Sequence, residues 1–255
     1  MLRILWNGRS AMAAQQEKLD SISNNLSNIN TEGYKRVDVN FKDLVYETLK
    51  RDGYPTTDNA REPLNGTGVR ASNWIRDDKQ GNLQETGLNT DLAIDGEGYF
   101  GVTLADGSKA YTRSGSFNID GAGDIVDKKG NRLDIQFYGE KVSFKNGNFS
   151  VGKEGTVSVN ENGKVTNVGK INLYNFVGQD SMASVGDSLY VPKDGAQGYN
   201  VTNSNIEQGF VEGSNVDFAK EMTDMIITQR AFELGSRGLK TADEMWGIAN
   251  NLRGR

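Results

Sequence analysis

The residues best placed to do chemistry are the carboxylates in the run Asp91-Leu92-Ala93-Ile94-Asp95-Gly96-Glu97. Two carboxylates flanking a glycosidic bond can act as acid and nucleophile, and strand alternation puts Asp91, Ala93 and Asp95 on one face. Solvated carboxylates at a strand end are the commoner case, and the surrounding sequence builds no cleft. The segment Asn118-Ile119-Asp120-Gly121-Ala122-Gly123-Asp124-Ile125 has the outline of half an EF-hand loop. It lacks a ligand at position five, which is Ala122, and the bidentate Glu at position twelve, which is Lys129. A β-turn between two strands accounts for the same glycines. Gly66-Thr67-Gly68-Val69-Arg70-Ala71 has the outline of a dinucleotide fingerprint, but no strand precedes it and Ser72-Asn73-Trp74 opens no helix. It reads as a turn into a strand. The aromatic residues Tyr99, Phe100, Tyr111 and Phe117 read as core rather than as a stacking platform.

The chain has no His and no Cys. That excludes the Ser-His-Asp triad, a thiolate nucleophile, a disulfide framework and the usual zinc sites. No catalytic residue, cofactor or metal is expected. With 29 basic and 34 acidic residues the net charge is −5, and no basic run exceeds pairs such as Lys35-Arg36 and Lys128-Lys129, which argues against a nucleic-acid track. Apolar runs such as Met225-Ile226-Ile227 fall far short of the ~20 residues that span a bilayer, so no membrane insertion is expected. The opening Met1-Leu2-Arg3-Ile4-Leu5-Trp6 breaks at Asn7-Gly8-Arg9, too early for the apolar region of a signal peptide, which runs about 7–15 residues. Departure from the cytoplasm, if it occurs, is expected by another route.

These residues sit between two helical ends. Leu5, Met12, Leu19 and Leu26 recur every seven residues, with Gly8, Gln15, Ile22 and Ile29 as companions, which is the spacing of a coiled-coil seam. Asn28-Ile29-Asn30-Thr31-Glu32-Gly33 stops the pattern, with Gly33 a natural left-handed residue. At the other end Phe218, Met225, Phe232, Leu239 and Trp246 repeat every seven, flanked at plus four by Met222, Gln229, Ser236, Asp243 and Asn250. Ser214 and Asp217 form the pattern of a capping box for a helix over 216–251. Between the helices, turn dipeptides separate strand-like runs: Tyr99–Leu104 and Lys109–Arg113 about Asp106-Gly107, Lys141–Lys145 and Asn148–Val151 about Asn146-Gly147, Thr156–Asn160 and Lys164–Val168 about Asn162-Gly163.

The expected fold is therefore α+β. Long N- and C-terminal helices, 1–34 with 212–255, form a coiled-coil domain. An extended linker over 35–65 joins them to a central antiparallel β-rich domain over 66–211, which includes the return linker. The seam alone does not choose between helices paired within one chain and helices paired among copies.

The segment Ser23-Asn24-Asn25-Leu26-Ser27-Asn28-Ile29-Asn30-Thr31-Glu32-Gly33-Tyr34-Lys35 resembles the N-terminal signature of the bacterial flagellar rod and hook protein family. Glu212-Gly213-Ser214-Asn215-Val216-Asp217, Gln229-Arg230-Ala231-Phe232-Glu233 and Thr241-Ala242-Asp243-Glu244-Met245 resemble that family's C-terminal region. The middle, through Phe41-Lys42-Asp43-Leu44-Val45-Tyr46, Gly81–Gly87, Leu92–Phe100 and Tyr111–Phe117, is most similar to the distal-rod members. The resemblance implies a non-enzymatic subunit of a helical tube in the flagellar basal body, outside the cytoplasmic membrane. Its implied partners are further copies of itself, other rod and hook subunits, and the flagellar type III export apparatus. It also implies an export signal of the form Phe-x-x-x-apolar at Phe41 and Val45, and a seam in which the two heptad rows meet inside the assembled rod. Proximal rod or hook-basal-body paralogues are the alternative within the family, and a β-rich surface-binding module is a remote one outside it.

Overall fold

The structure, a computed structural model, describes residues 2–44, 46–48, 64–144, 147–161, 164–178 and 181–253. The chain divides into two compact units, one of residues 1–26, 37–75 and 217–255, the other of 27–36 and 76–216. Strands are numbered in chain order.

The first unit holds helix α1 (Leu2–Ser27) and helix α2 (Phe218–Arg253). It also holds two short antiparallel ribbons: β1 (Val37–Asp43) pairs with β4 (Val69–Arg76), and β2 (Tyr46–Thr48) with β3 (Leu64–Gly66). Ala11, Ala13, Ala14 and the straight-chain residues after them favour α1. Two of its faces are covered. On the ribbon side Ser21 Oγ donates to Val37 O at 3.1 Å, Lys18 pairs with Asp38, and Trp74 Nε1 donates to Glu17 at 3.3 Å. The Gly66-Thr67-Gly68 turn leads into β4, as expected, although strand β3 does precede it, contrary to the sequence reading, and it approaches α1 closely enough for Ser10 Oγ to accept the Val69 amide at 3.4 Å. The segment 37–44, part of the expected linker, is thus strand β1 and its continuation lying against a helix.

Helix α2 starts two residues later than the capping box implied. Asp217 is itself the N-cap, its carboxylate accepting from the amides of Ala219 at 2.9 Å and Lys220 at 3.2 Å. Ser214 Oγ instead accepts from Val216 at 3.3 Å. An acidic side chain with two amide donors in reach fills the N-cap role by itself.

The second unit is antiparallel β. Its largest sheet runs β17 (Met182–Gly186), β18 (Leu189–Pro192), β8 (Lys109–Thr112), β7 (Tyr99–Thr103), β11 (Arg132–Leu133), β10 (Ile125–Val126) and β9 (Asn118–Ile119). From β7 it branches through β16 (Leu173–Phe176) to β19 (Gly198–Val201). A second sheet runs β12 (Ile135–Phe137), β15 (Lys164–Ile171), β14 (Thr156–Glu161) and β13 (Phe149–Val151). Two further pairs complete it: β20 (Asn205–Gln208) with β6 (Leu92–Asp95), and β21 (Phe210–Glu212) with β5 (Leu83–Glu85). One core, including Leu92, Ile94, Phe100, Phe117, Ile171 and Ile206, is shared by the two sheets and the β20–β6 pair.

The β7–β8 and β14–β15 hairpins form where turn chemistry placed them; Asn162 and Gly163 themselves lie outside the described residues. The hairpin about Asn146-Gly147 does not form as read. Residues 141–144 are not strand, and β13 pairs with β14 instead. Phe144 drops its ring into the core while its amide donates to Gly123 O at 2.8 Å, so that burial outweighs ladder pairing here. Lys145 and Asn146 lie outside the described residues.

Candidate functional site

The candidate catalytic features resolve into structure. Asp91 is buried rather than solvated, accepting from Thr86 Oγ1 at 2.6 Å, whereas Asp95 and Glu97 are exposed. The EF-hand-like segment is the β9–β10 hairpin, whose Asp120 carboxylate accepts the Asp124 amide at 2.8 Å. Among the described residues no cluster of metal-ligating side chains occurs. Tyr99, Phe100 and Phe117 are core, and Tyr111 packs edge-on against Tyr174 and Phe176.

In the helical unit, α1 and α2 are antiparallel neighbours. A Cβ built on Gly8 would lie 3.2 Å from Leu239 Cδ1, and one on Gly235 3.3 Å from Met12 Cγ. Missing side chains at these two positions let the helices approach. Leu5, Met12, Leu19 and Leu26 are half-buried, as are Met225, Phe232 and Leu239, whereas Phe218 and Trp246 are exposed. The companion row on α2 lies at plus three, not plus four: Glu221 and Thr228 are buried, and Gly235 and Ala242 half-buried. Of the plus-four residues, Met222, Gln229, Asp243 and Asn250 face solvent and Ser236 is half-buried. The true row is polar or small, which hydrophobic patterning does not register. Thr228 satisfies its hydroxyl on Asp224 O at 2.6 Å.

Asn25 ties three elements together. Its Nδ2 donates to Val37 O at 2.9 Å and to Glu221 Oε2 at 3.1 Å, and its Oδ1 accepts the Val37 amide at 2.9 Å. Both Asn25 and Glu221 are fully buried, so each bond lost leaves a buried polar group to desolvate. Asn25→Ala is expected to lower the unfolding free energy of the helical unit by about 2–3 kcal/mol. Urea titration followed by tryptophan fluorescence reads this unit selectively, because Trp6, Trp74 and Trp246 all belong to it.

From Asn28 on, the motif works in the β unit. Asn28 and Thr31 close a turn through the Thr31 amide to Asn28 O at 3.1 Å, while Asn24 and Asn30 are exposed. Gly33 has φ +67°, and a Cβ there would lie 2.4 Å from the Ser114 nitrogen. Only glycine meets both demands. Tyr34 is half-buried, its carbonyl accepting the Asn215 amide at 3.4 Å. Beside it, Asn215 Oδ1 accepts the Arg36 amide at 2.6 Å and its Nδ2 donates to Asp77 O and Lys79 O.

Lys35 leads to a feature that sequence reading missed. Its Nζ donates to Glu212 Oε1 at 2.8 Å and Lys79 O at 2.7 Å, and Arg113 Nε pairs with the other Glu212 oxygen. The three side chains are 2%, 4% and 1% exposed for Lys35, Arg113 and Glu212. Arg113 also donates to the carbonyls of Gly96, Gly98 and Ile94, and Gly81 N donates to Glu212 Oε1 at 2.8 Å. Burial, and then the Arg113 guanidinium, pulls the Lys35 ammonium below the ordinary lysine range, while Glu212 opposes this. Such a cluster fixes geometry and offers no free nucleophile. The only signal in the sequence was three resemblance motifs, one at each end of the chain and one in the middle, carrying Lys35, Glu212 and Arg113.

Phe41 is exposed on β1, and Val45 lies outside the described residues. No helix among the described residues is long and apolar enough to cross a membrane.

Comparison with known proteins covers most of the chain. Residues 5–35 match the family described as flagella basal body rod protein, 93–167 the flagellar hook protein FlgE/F/G D1 domain, and 207–252 the flagellar basal body rod FlgEFG protein C-terminal family. The flagellar basal-body rod protein FlgG of Borreliella burgdorferi is 38% identical, over 99% of both chains. That of Buchnera aphidicola subsp. Schizaphis graminum is 37% identical over 96% of this chain and 97% of its own. The flagellar hook-basal body complex protein FlhP of Bacillus subtilis is 29% identical over 99% of this chain and 100% of its own. With sequence identity running from α1 through the β unit to α2, the chain belongs to the flagellar basal-body rod protein family.

Proposed function

We infer that this chain is a structural, non-catalytic subunit of the distal rod that polymerises through its helical unit. The supporting observation is the apolar surface α2 leaves exposed beyond its α1-facing side. At 3.6 residues per turn, Phe218, Met222 and Ile226 form one such stripe. Ile227, Leu234, Met245, Ile248 and Leu252 form another, with Leu234 67% and Leu252 74% exposed. Exposed apolar stripes on a helix mark a surface that another molecule covers. More than one neighbour is needed to cover it, as a helical tube of identical subunits supplies. The stronger similarity to FlgG than to FlhP favours the distal rod over a hook-basal-body paralogue.

The partners are then further copies of this chain and adjoining rod and hook subunits. The rod would lie outside the cytoplasmic membrane, reached through the flagellar type III apparatus, with Phe41 and Val45 as the export signal. The boundaries 1–34 with 212–255, 35–65 and 66–211 would separate the tube's inner wall, its linker and its outer body.

Leu234→Glu places a charge on the exposed stripe while touching nothing in the monomer's own helix pair. The expected result is unchanged circular dichroism and melting with loss of sedimentable polymer and of rod assembly in cells. Wild-type polymer from this variant would overturn the reading.

A further inference from the structure

The β unit is closed by residues that come late in the chain. Strands β5 and β6 begin the unit, and their strand partners are β21 and β20. In β6, Leu92, Ala93 and Ile94 are fully buried, yet their ladder partners Gln208, Glu207 and Ile206 follow more than a hundred residues later. The same segment carries Glu212, which pairs with both Lys35 and Arg113. Two independent features, strand pairing and charge pairing, therefore converge on residues 205–212.

We propose that this segment gates folding: the β unit stays open until residues 205–212 arrive, with Glu212 as the charge that permits closure. Synthesis runs from the N-terminal side, so an open chain holds Lys35 and Arg113 without their carboxylate. Burying two cations with no counter-ion is strongly disfavoured. Contacts of such sequence separation also carry the loop-closure cost that slows folding. A subunit that must be threaded unfolded benefits from this delay. The proposal rests on the reading of the chain as an exported subunit only for that benefit, not for the gate itself.

The test is refolding and unfolding of the full chain, with hydrogen-exchange pulse labelling and mass spectrometry to follow β5 and β6 separately from the helices. Ile206→Val removes one methyl from the closing segment, and Ile171→Val does so in β15 as a control. The gate predicts that Ile206→Val slows refolding about fivefold with unfolding little changed, because the segment is formed at the barrier. Ile171→Val should chiefly accelerate unfolding. Glu212→Gln should slow refolding further or leave β5 and β6 unprotected; if it does not fold at all, Ile206→Val decides. Wild-type refolding with faster unfolding in Ile206→Val would show that the segment docks after the barrier and would overturn the gate. Those kinetics concern the isolated chain, so their failure leaves the rod reading intact, whereas that reading stands or falls on Leu234→Glu.

Discussion

Glu212→Gln is expected to unfold the β unit locally or to lower its stability by about 3–5 kcal/mol, the usual cost of breaking a buried pair from one side. Native domains hold only about 5–15 kcal/mol. The glutamine keeps the shape but removes the charge that two buried cations share, and its amide nitrogen would donate toward a second donor. Lys35 and Arg113 would also bind it with weaker, uncharged bonds. Near-ultraviolet circular dichroism of the tyrosines reads the result, because Tyr99, Tyr111, Tyr174 and Tyr190 sit in this unit. Replacing all three members by apolar residues of similar volume should recover much of the loss, as ion clusters cost desolvation that apolar packing does not. A Glu212→Gln protein that melts with the wild type would show the cluster to be dispensable.

Phe232→Asp should have the largest effect on assembly. Phe232 lies in the half-buried row that faces α1, three residues before the Gly235 that receives Met12. Truncating a core Phe costs about 3–5 kcal/mol when fully buried; this ring is half-buried, so its loss is smaller, but the new carboxylate would be desolvated as well. Tryptophan fluorescence should report a loosened helical unit, the tyrosine signal of the β unit should persist, and no polymer should form. Compared with Leu234→Glu two residues on, this separates two roles of one helix. The first variant loses the fold of the helical unit and the second only its association. A Phe232→Asp rod of normal length would remove the helix seam from the assembly mechanism.

Much of this was legible in the sequence, and the limits are physical. Heptad spacing locates α1 and α2 because large apolar side chains must share a face. It misplaces the companion row because Glu221, Thr228, Gly235 and Ala242 are there for hydrogen bonding and close approach, properties that carry no hydrophobic signal. Hairpins marked by Asp106-Gly107 and Asn162-Gly163 are local and were readable. The run before Asn146-Gly147 was not, since Phe144 is drawn into a core assembled from distant strands. The ion cluster joins positions 35, 113 and 212, and composition argues against charges being buried at all. Asn25 was readable as part of a family signature, but its three bonds follow only from the fold.

The chain enters the larger part of the β unit at Asp77 and leaves it at Asn215, and these two ends meet, Asn215 Nδ2 donating to Asp77 O at 2.8 Å. A module whose ends meet can be exchanged without disturbing what flanks it. Residues 77–215 could be replaced by a short turn, or by a larger or smaller body, with β4 still joined to α2 over the same gap. Variation in girth between subunits built on one helical pair then requires no redesign of the helices. It also makes the β unit a natural graft point for a fluorescent or affinity domain.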